Sequence, residues 1–96
     1  MEFAFETEII EWRGPSPFFF APVPATHVAD ISSAARRVSY GWGMIPVTAA
    51  IGDITFTTSL FPKDDGYLLP LKDAVRRQAG LTAGDSVTVT INIRPR

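Results

Sequence analysis

The sequence predicts a mainly β fold: a small antiparallel, double-split-like β-barrel with two short helices, formed by residues 1–96 as a single domain. Three observations carry this. Residues 2–11 alternate, with Phe3, Phe5, Thr7 and Ile9 on one side and Glu2, Ala4, Glu6 and Glu8 on the other, the period of a half-buried strand with an acidic outer face. "MIPVTAAI" and "ITFTTSLF" flank Gly52-Asp53, a two-residue loop of the kind that favours primed hairpin turns. Near the C-terminus Val87, Val89, Ile91 and Ile93 alternate with Ser86, Thr88, Thr90 and Asn92. Strands so rich in Val, Ile and Thr gain from closing into a barrel, because closure hides their edges.

The elements follow in order. "RGPSP", 13–17, breaks the first strand, since glycine and two prolines remove donors and fix the backbone. "FFFAPVP" is a short extended segment whose prolines suit an edge or a strand end. After Pro24, Val28, Ile31 and Ala35 recur at helical spacing, and Pro24 fits just before or at the first turn. "SYGWG", 39–43, is a glycine-punctuated connection. In the hairpin, closing on Gly52-Asp53 pairs Ile51 with Ile54, Ala49 with Phe56, Val47 with Thr58 and Ile45 with Leu60, all on one face. "PKDDG" is a polar turn leading to a short strand, Tyr67-Leu68-Leu69. Pro70 then suits a first helical position, with Leu71, Ala74, Val75 and Gln78 as the inner stripe and Lys72, Asp73, Arg76 and Arg77 outside. Asp73 and Arg77 make an i,i+4 pair. Gly80 is the left-handed stop, Leu81 folds back on the helix, and Asp85 of "TAGD" bonds amides of its own turn. The pattern amounts to five or six strands and two helices.

Composition narrows the function classes. Ninety-six residues with 46% apolar content give one modest core and argue against disorder. The absence of cysteine excludes disulfides, thiolate metal sites and cysteine nucleophiles. The acidic start is the opposite of a secretory signal, and the longest apolar runs are far short of a membrane span, so the expectation is a cytoplasmic protein with no membrane partner. A pI of about 5.7 and a net charge of −1 make nucleic acid an unfavoured partner, one that needs a local basic patch or a symmetric dimer.

A strand ending in Trp12, a phenylalanine-proline strand before the first helix, "GMIPV", "FTTSLFP" and "GYLLPLKDAVRRQAGLTAGDSVTVTI" together resemble the bacterial family known as domain of unknown function 1905. The resemblance spans nearly the whole chain and is most specific over 43–91. It implies a small β-barrel, sometimes fused to a bacteriocin-protection type domain, and no established activity. The stretch 67–91 is also similar to the swapped-hairpin barrels of bacterial transition-state regulators and antitoxins. There, a strand, a proline-led helix with an arginine and a "GD" turn build a barrel that binds DNA as a dimer. Those are shorter units with basic DNA-facing loops, whereas this chain is longer and acidic, so DNA binding is not carried over.

Few residues suggest chemistry. His27 is the sole histidine, and no second ligand sits at metal-ligand spacing from it. Ser16 or Ser32 with His27 and Asp30 could meet only through space, and nothing frames a nucleophile elbow. Asp64-Asp65 reads as a charged turn more readily than as a Mg²⁺ site, and "GWG" lacks the pattern of a phosphate loop. No catalytic residue, metal or cofactor is predicted. One constellation remains, of aromatic and basic residues: Trp12, Arg13, Arg36, Arg37, Tyr40, Trp42, Lys72, Arg76 and Arg77. Arginines beside aromatic rings recognise phosphate, carboxylate or a base by fork geometry and stacking; in the other reading Trp12 and Trp42 cap the barrel ends and the arginines are solvated. The leading expectation is a non-enzymatic binding or interaction module for a small anionic ligand or a protein partner, with a homodimer open. A nucleic-acid-binding barrel is the alternative, and a hydrolase or other enzyme comes last.

Overall fold

The computed structural model describes residues 2–12 and 18–94. Arg13, Ser16 and the rest of the "RGPSP" break lie outside the described residues. In chain order the elements are β1 (Glu2–Glu8), β2 (Ile10–Trp12), β3 (Phe18–Pro22), α1 (Ala25–Ala34), β4 (Ile45–Ile51), β5 (Ile54–Lys63), β6 (Gly66–Leu71), α2 (Asp73–Ala79) and β7 (Ser86–Ile93). Among the described residues seven strands form one antiparallel sheet, ordered β1-β7-β4-β5-β6-β3-β2. The fold is mainly β and barrel-like, as the alternation predicts.

The predicted first strand is divided at Ile9, which raises the strand number to seven. Its two halves take places at opposite ends of the sheet order: β1 pairs with β7 and β2 pairs with β3. One continuous segment therefore supplies both end strands, and the sheet curls accordingly. Ile9 is held at the corner by two backbone bonds, from its N–H to the Asp85 carbonyl at 2.9 Å and from the Gly84 N–H to its own carbonyl at 2.8 Å. Its side chain is fully buried, so the bend is fixed by packing as well. Across the curl, Thr7 Oγ1 donates to the Pro22 carbonyl at 2.6 Å, tying β1 to the end of β3. The second corner lies in β5, whose residues up to Leu60 pair with β4 while Phe61 to Lys63 pair with β6.

The turn that holds Ile9 is itself braced. Asp85 Oδ2 accepts the Thr82 N–H at 2.9 Å, and the Asp85 N–H returns a bond to the Thr82 carbonyl at 3.1 Å. Asp85 thus has the turn role expected of it. Gly84 carries φ +92°, a conformation that side chains rarely adopt, which is why glycine stands there.

The β4–β5 hairpin has the predicted register at every position, from Ile51–Ile54 through Ile45–Leu60. Pro70 is a correction. It does not start a helix; it lies inside β6, opposite Phe20 of β3. A proline cannot exchange both bonds of a hydrogen-bonded pair, and Pro70–Phe20 and Pro22–Leu68 fall at the same alternate positions of the β3–β6 ladder. Those are the non-bonded positions, so both prolines fit without loss. The helix begins at Asp73, three residues later than predicted. Its inner stripe shifts with it: Val75 is buried and Ala79 and Leu81 pack on the core, whereas Ala74 and Gln78 are exposed and Leu71 is a buried strand residue. The predicted Asp73–Arg77 pair is replaced by Asp73–Arg76 at 3.8 Å, an i,i+3 contact.

Helix ends follow the sequence elsewhere. Gly80 is left-handed, and the Gly80 and Leu81 N–H groups close the last turn on the Arg77 and Arg76 carbonyls. α1 starts directly after Pro24 and buries Ile31, with Ala35 buried just beyond its end. His27 lies against Phe3 and Phe5 of β1, with ring centroids 6.0 and 5.9 Å away. Every buried residue among those described is hydrophobic. None of the described helices is long and apolar enough to cross a membrane.

The corner makes a direct prediction. Gly84→Val, which strains the backbone beside the Ile9 bond, lowers stability by about 1–3 kcal/mol, and Asp85→Ala, which removes only the turn brace, by about 1 kcal/mol. Urea denaturation of both variants measures this, and equal stabilities for wild type and Gly84→Val would contradict it.

Candidate functional site

Strand alternation sorts the half of the sheet made by the end of β5, β6, β3 and β2. Leu60, Leu69 and Ala21 point into the core and are fully buried. Their neighbours point outward: Phe61, Leu68 and Pro70, Phe18 and Phe20, Ile10 and Trp12. Exposed large hydrophobic side chains among the described residues are Ile10, Trp12, Phe18, Tyr40, Trp42 and Phe61. Four of the six belong to this face. The other two, Tyr40 and Trp42, ride on the connection between α1 and β4, which the Tyr40 hydroxyl fastens to the hydroxyl of Ser59, on the outward side of β5. Apolar exposure gathered in this way marks a contact surface more often than chance scatter does.

The face has its own small aromatic cluster. Phe20 faces outward, yet it is only 8% exposed, because Trp12 meets it edge-on at 6.1 Å and Phe18 lies 6.4 Å away. Lys63 Nζ sits 4.5 Å from the centroid of the Trp12 ring, a cation–π contact. Beside the cluster is a groove of about 380 Å³, lined by Phe18, Phe19 and Phe20 of β3 and by Pro70, Leu71, Lys72 and Asp73 where β6 runs into α2. Its walls are apolar, and a cation and a carboxylate stand at one end.

Arg76 braces the groove from behind. Its guanidinium lies 4.1 Å over the Phe19 ring, Nη1 donates to the Leu81 carbonyl at 3.3 Å, and Nη2 is 3.8 Å from Asp73. Nε is buried without a hydrogen-bond partner, an unfavourable feature that stacking on Phe19 offsets. Arg76 was expected on the outer side of the helix; it folds down because its long stem can cover the aromatic ring while its head bonds the helix end.

The sequence constellation therefore separates into parts. Lys72 lines the groove, Arg76 lies behind it over Phe19, and Trp12 is linked to it through Phe20 and Phe18. Arg36, Arg37, Tyr40 and Trp42 occupy the α1–β4 connection, with both arginines exposed. Arg77 is exposed on α2, and Arg13 is outside the described residues. Trp42, 98% exposed, caps nothing. Phe18, Phe20, Phe61, Pro70 and Lys63 are not among the candidate binding residues read from the sequence. A signal for the phenylalanines was present: three consecutive Phe in a strand must face both ways, so the run "FFF" necessarily sends aromatic rings outward.

Comparison with known families gives a match to one model, a domain of unknown function (DUF1905), over residues 5–91. A search of curated proteins finds no match.

The two neighbouring arginines of α2 test this geometry. Arg76→Ala, losing its ring contact and carbonyl bond, costs about 1–2 kcal/mol, while Arg77→Ala stays within about 0.5 kcal/mol of wild type. Thermal or urea unfolding distinguishes them, and equal effects would mean that Arg76 is not packed as described.

Proposed function

Because the chain belongs to the DUF1905 family, whose description states no function, we propose from its own geometry that it is a non-enzymatic binding module working through the outward aromatic face. The observation that carries this reading is the groove of Phe18, Phe20 and Pro70 ending at Lys72. Flat apolar walls suit an aromatic or aliphatic body, and the lysine at the end suits an anionic group attached to it. The neighbouring Trp12 and Lys63 extend the same recognition chemistry across the face. A protein side chain or a small organic anion both meet this description.

The nucleic-acid alternative draws less support. Lys63 is followed by Asp64 and Asp65, and Lys72 by Asp73, so the described residues of this face form no dense basic stripe for a phosphate backbone. An enzymatic reading has no comparable support, since His27 is packed on Phe3 and Phe5 rather than set in this groove.

Anilinonaphthalene sulfonate, an aromatic anion, is a direct probe of the groove. At low protein concentration it binds the folded chain with enhanced fluorescence; Lys72→Ala weakens binding about tenfold, and Phe18→Ser abolishes it. Undiminished binding to folded Phe18→Ser, or none to wild type, would overturn the assignment.

A further inference from the structure

Among the described residues, Arg76 and Arg94 each bury their Nε without a hydrogen-bond partner. For Arg76 the rest of the guanidinium is engaged, by the Leu81 carbonyl, by Asp73 and by the Phe19 ring. Arg94 has no such compensation: its side chain makes no hydrogen bond, ion pair or ring contact among the described residues. It is half-buried all the same. A desolvated charge with unmet donors is costly, and one that its own fold leaves unpaired calls for a partner from outside.

The register shows what lies beside it. The Arg94 N–H donates to the Pro46 carbonyl at 2.9 Å, carrying the β7–β4 pairing one residue beyond Ile93–Val47. On its other side Pro46 is opposite Ser59 of β5. Ile45, Leu60 and Ile93 pack in or on the core, so alternation turns Arg94, Pro46 and Ser59 outward together. The Ser59 hydroxyl is bonded to the Tyr40 hydroxyl, and Tyr40 is fixed in turn by two backbone bonds with Met44, each 2.8 Å. A pair of hydroxyls that shares a single hydrogen bond keeps one proton free to donate. The row from Arg94 to Ser59 spans two strand spacings, roughly 10 Å between backbones, which a long arginine side chain can bridge.

The charges of this region leave Arg94 uncompensated. Outward positions are Ser86, Thr88, Thr90 and Asn92 on β7, Pro46, Thr48 and Ala50 on β4, and Thr55, Thr57, Ser59 and Phe61 on β5, none of them acidic. Lys63 follows further along β5, ahead of the Asp64-Asp65 turn. The outward carboxylates are on β1: Glu2, Glu6 and Glu8. Glu2, the nearest in register, is opposite Asn92 and accepts from its side-chain amide at 3.5 Å, not from Arg94.

We infer that Arg94 is the centre of a binding site for an oxyanion, the carboxylate or phosphate group of a ligand. The guanidinium fork holds two of its oxygens, and the free proton of the Tyr40–Ser59 pair supports it from the neighbouring strand. The site lies on β7, β4 and β5 and shares no residue with the groove on β3 and β6.

Nuclear magnetic resonance tests it, because arginine Nε–H groups give their own signals. The ¹⁵N-labelled chain is titrated at constant ionic strength with inorganic phosphate and, separately, with acetate. The Arg94 Nε–H and the Arg94 and Ser59 amides are expected to shift saturably with at least one anion, with a Kd of about 1–10 mM. The Arg76 Nε–H should stay in place. Arg94→Gln is expected to abolish saturation, Arg94→Lys to weaken binding about tenfold and Tyr40→Phe about threefold. Lys72→Ala, in the groove, should change nothing, and Glu2→Gln should tighten binding by removing a nearby negative charge. Tighter binding of phosphate or of acetate supports the site equally and decides which group it takes. No saturable shift with either anion, binding that survives Arg94→Gln, or binding lost in Lys72→Ala would overturn the inference. Binding seen only in Glu2→Gln would overturn it too, since Glu2 would then be the partner of Arg94.

Discussion

The bend at Ile9 is the constraint on which the rest of the molecule depends. A strand that ran straight from Glu2 to Trp12 would lie wholly beside β7 and leave β3 as a bare edge. By turning at Ile9, the same eleven residues cover both ends of the sheet order. The turn is held by Gly84 and Asp85, some seventy-five residues later in the sequence, through the two backbone bonds to Ile9. Local preference contributes little there, since β-branched isoleucines at 9 and 10 favour continuing an extended strand. Long-range hydrogen bonding and burial of the Ile9 side chain override that preference.

What the bend achieves is a division of the apolar side chains. With inward positions of β1 and β2 continuing in step across the corner, Phe3, Phe5 and Ile9 enter the core while Ile10 and Trp12 turn out. Phe18 and Phe20 meet them on the outside, and Phe61 follows from β5. The core is complete without these residues; Phe20 is buried by a cluster of its own, separate from the main core. A fold needs only one apolar interior, so a second aromatic assembly on the outside points to contact with something else. Its charges are mixed rather than uniformly basic, which is why we propose a protein or organic partner rather than a nucleic-acid backbone.

The local features of the fold were legible where local geometry and tertiary packing agree. Gly52-Asp53 specified both a turn and a register, and every pair of that hairpin follows. Gly80 ended α2 because only the left-handed conformation allows the Arg76 and Arg77 carbonyls to be capped there. Pro70 misled because a fixed φ near −65° serves a first helical turn and a non-bonded strand position equally well; the choice is made by Phe20 on the neighbouring strand, which the sequence does not bring near. The site was partly legible. The aromatic and basic residue types were visible, but Lys72, Arg76 and Trp12 come together only through Phe18, Phe19 and Phe20, and that grouping needs the β2–β3–β6 pairing. Arg77 could not be told from Arg76 by sequence, as adjacent helical positions differ only in which one overlies Phe19.

The central claim is that the clamp on Ile9 is part of the cooperative core rather than a surface detail. Native-state hydrogen exchange at the Ile9 and Gly84 amides measures this most directly, because each donates one of the bonds in question. Both are predicted to exchange only through global unfolding, with an opening free energy equal to that found by urea denaturation and to that of the Val89 and Ile91 amides in β7, a strand paired on both sides. Exchange of Ile9 and Gly84 through a much less costly local opening, with Val89 and Ile91 still protected, would contradict the account.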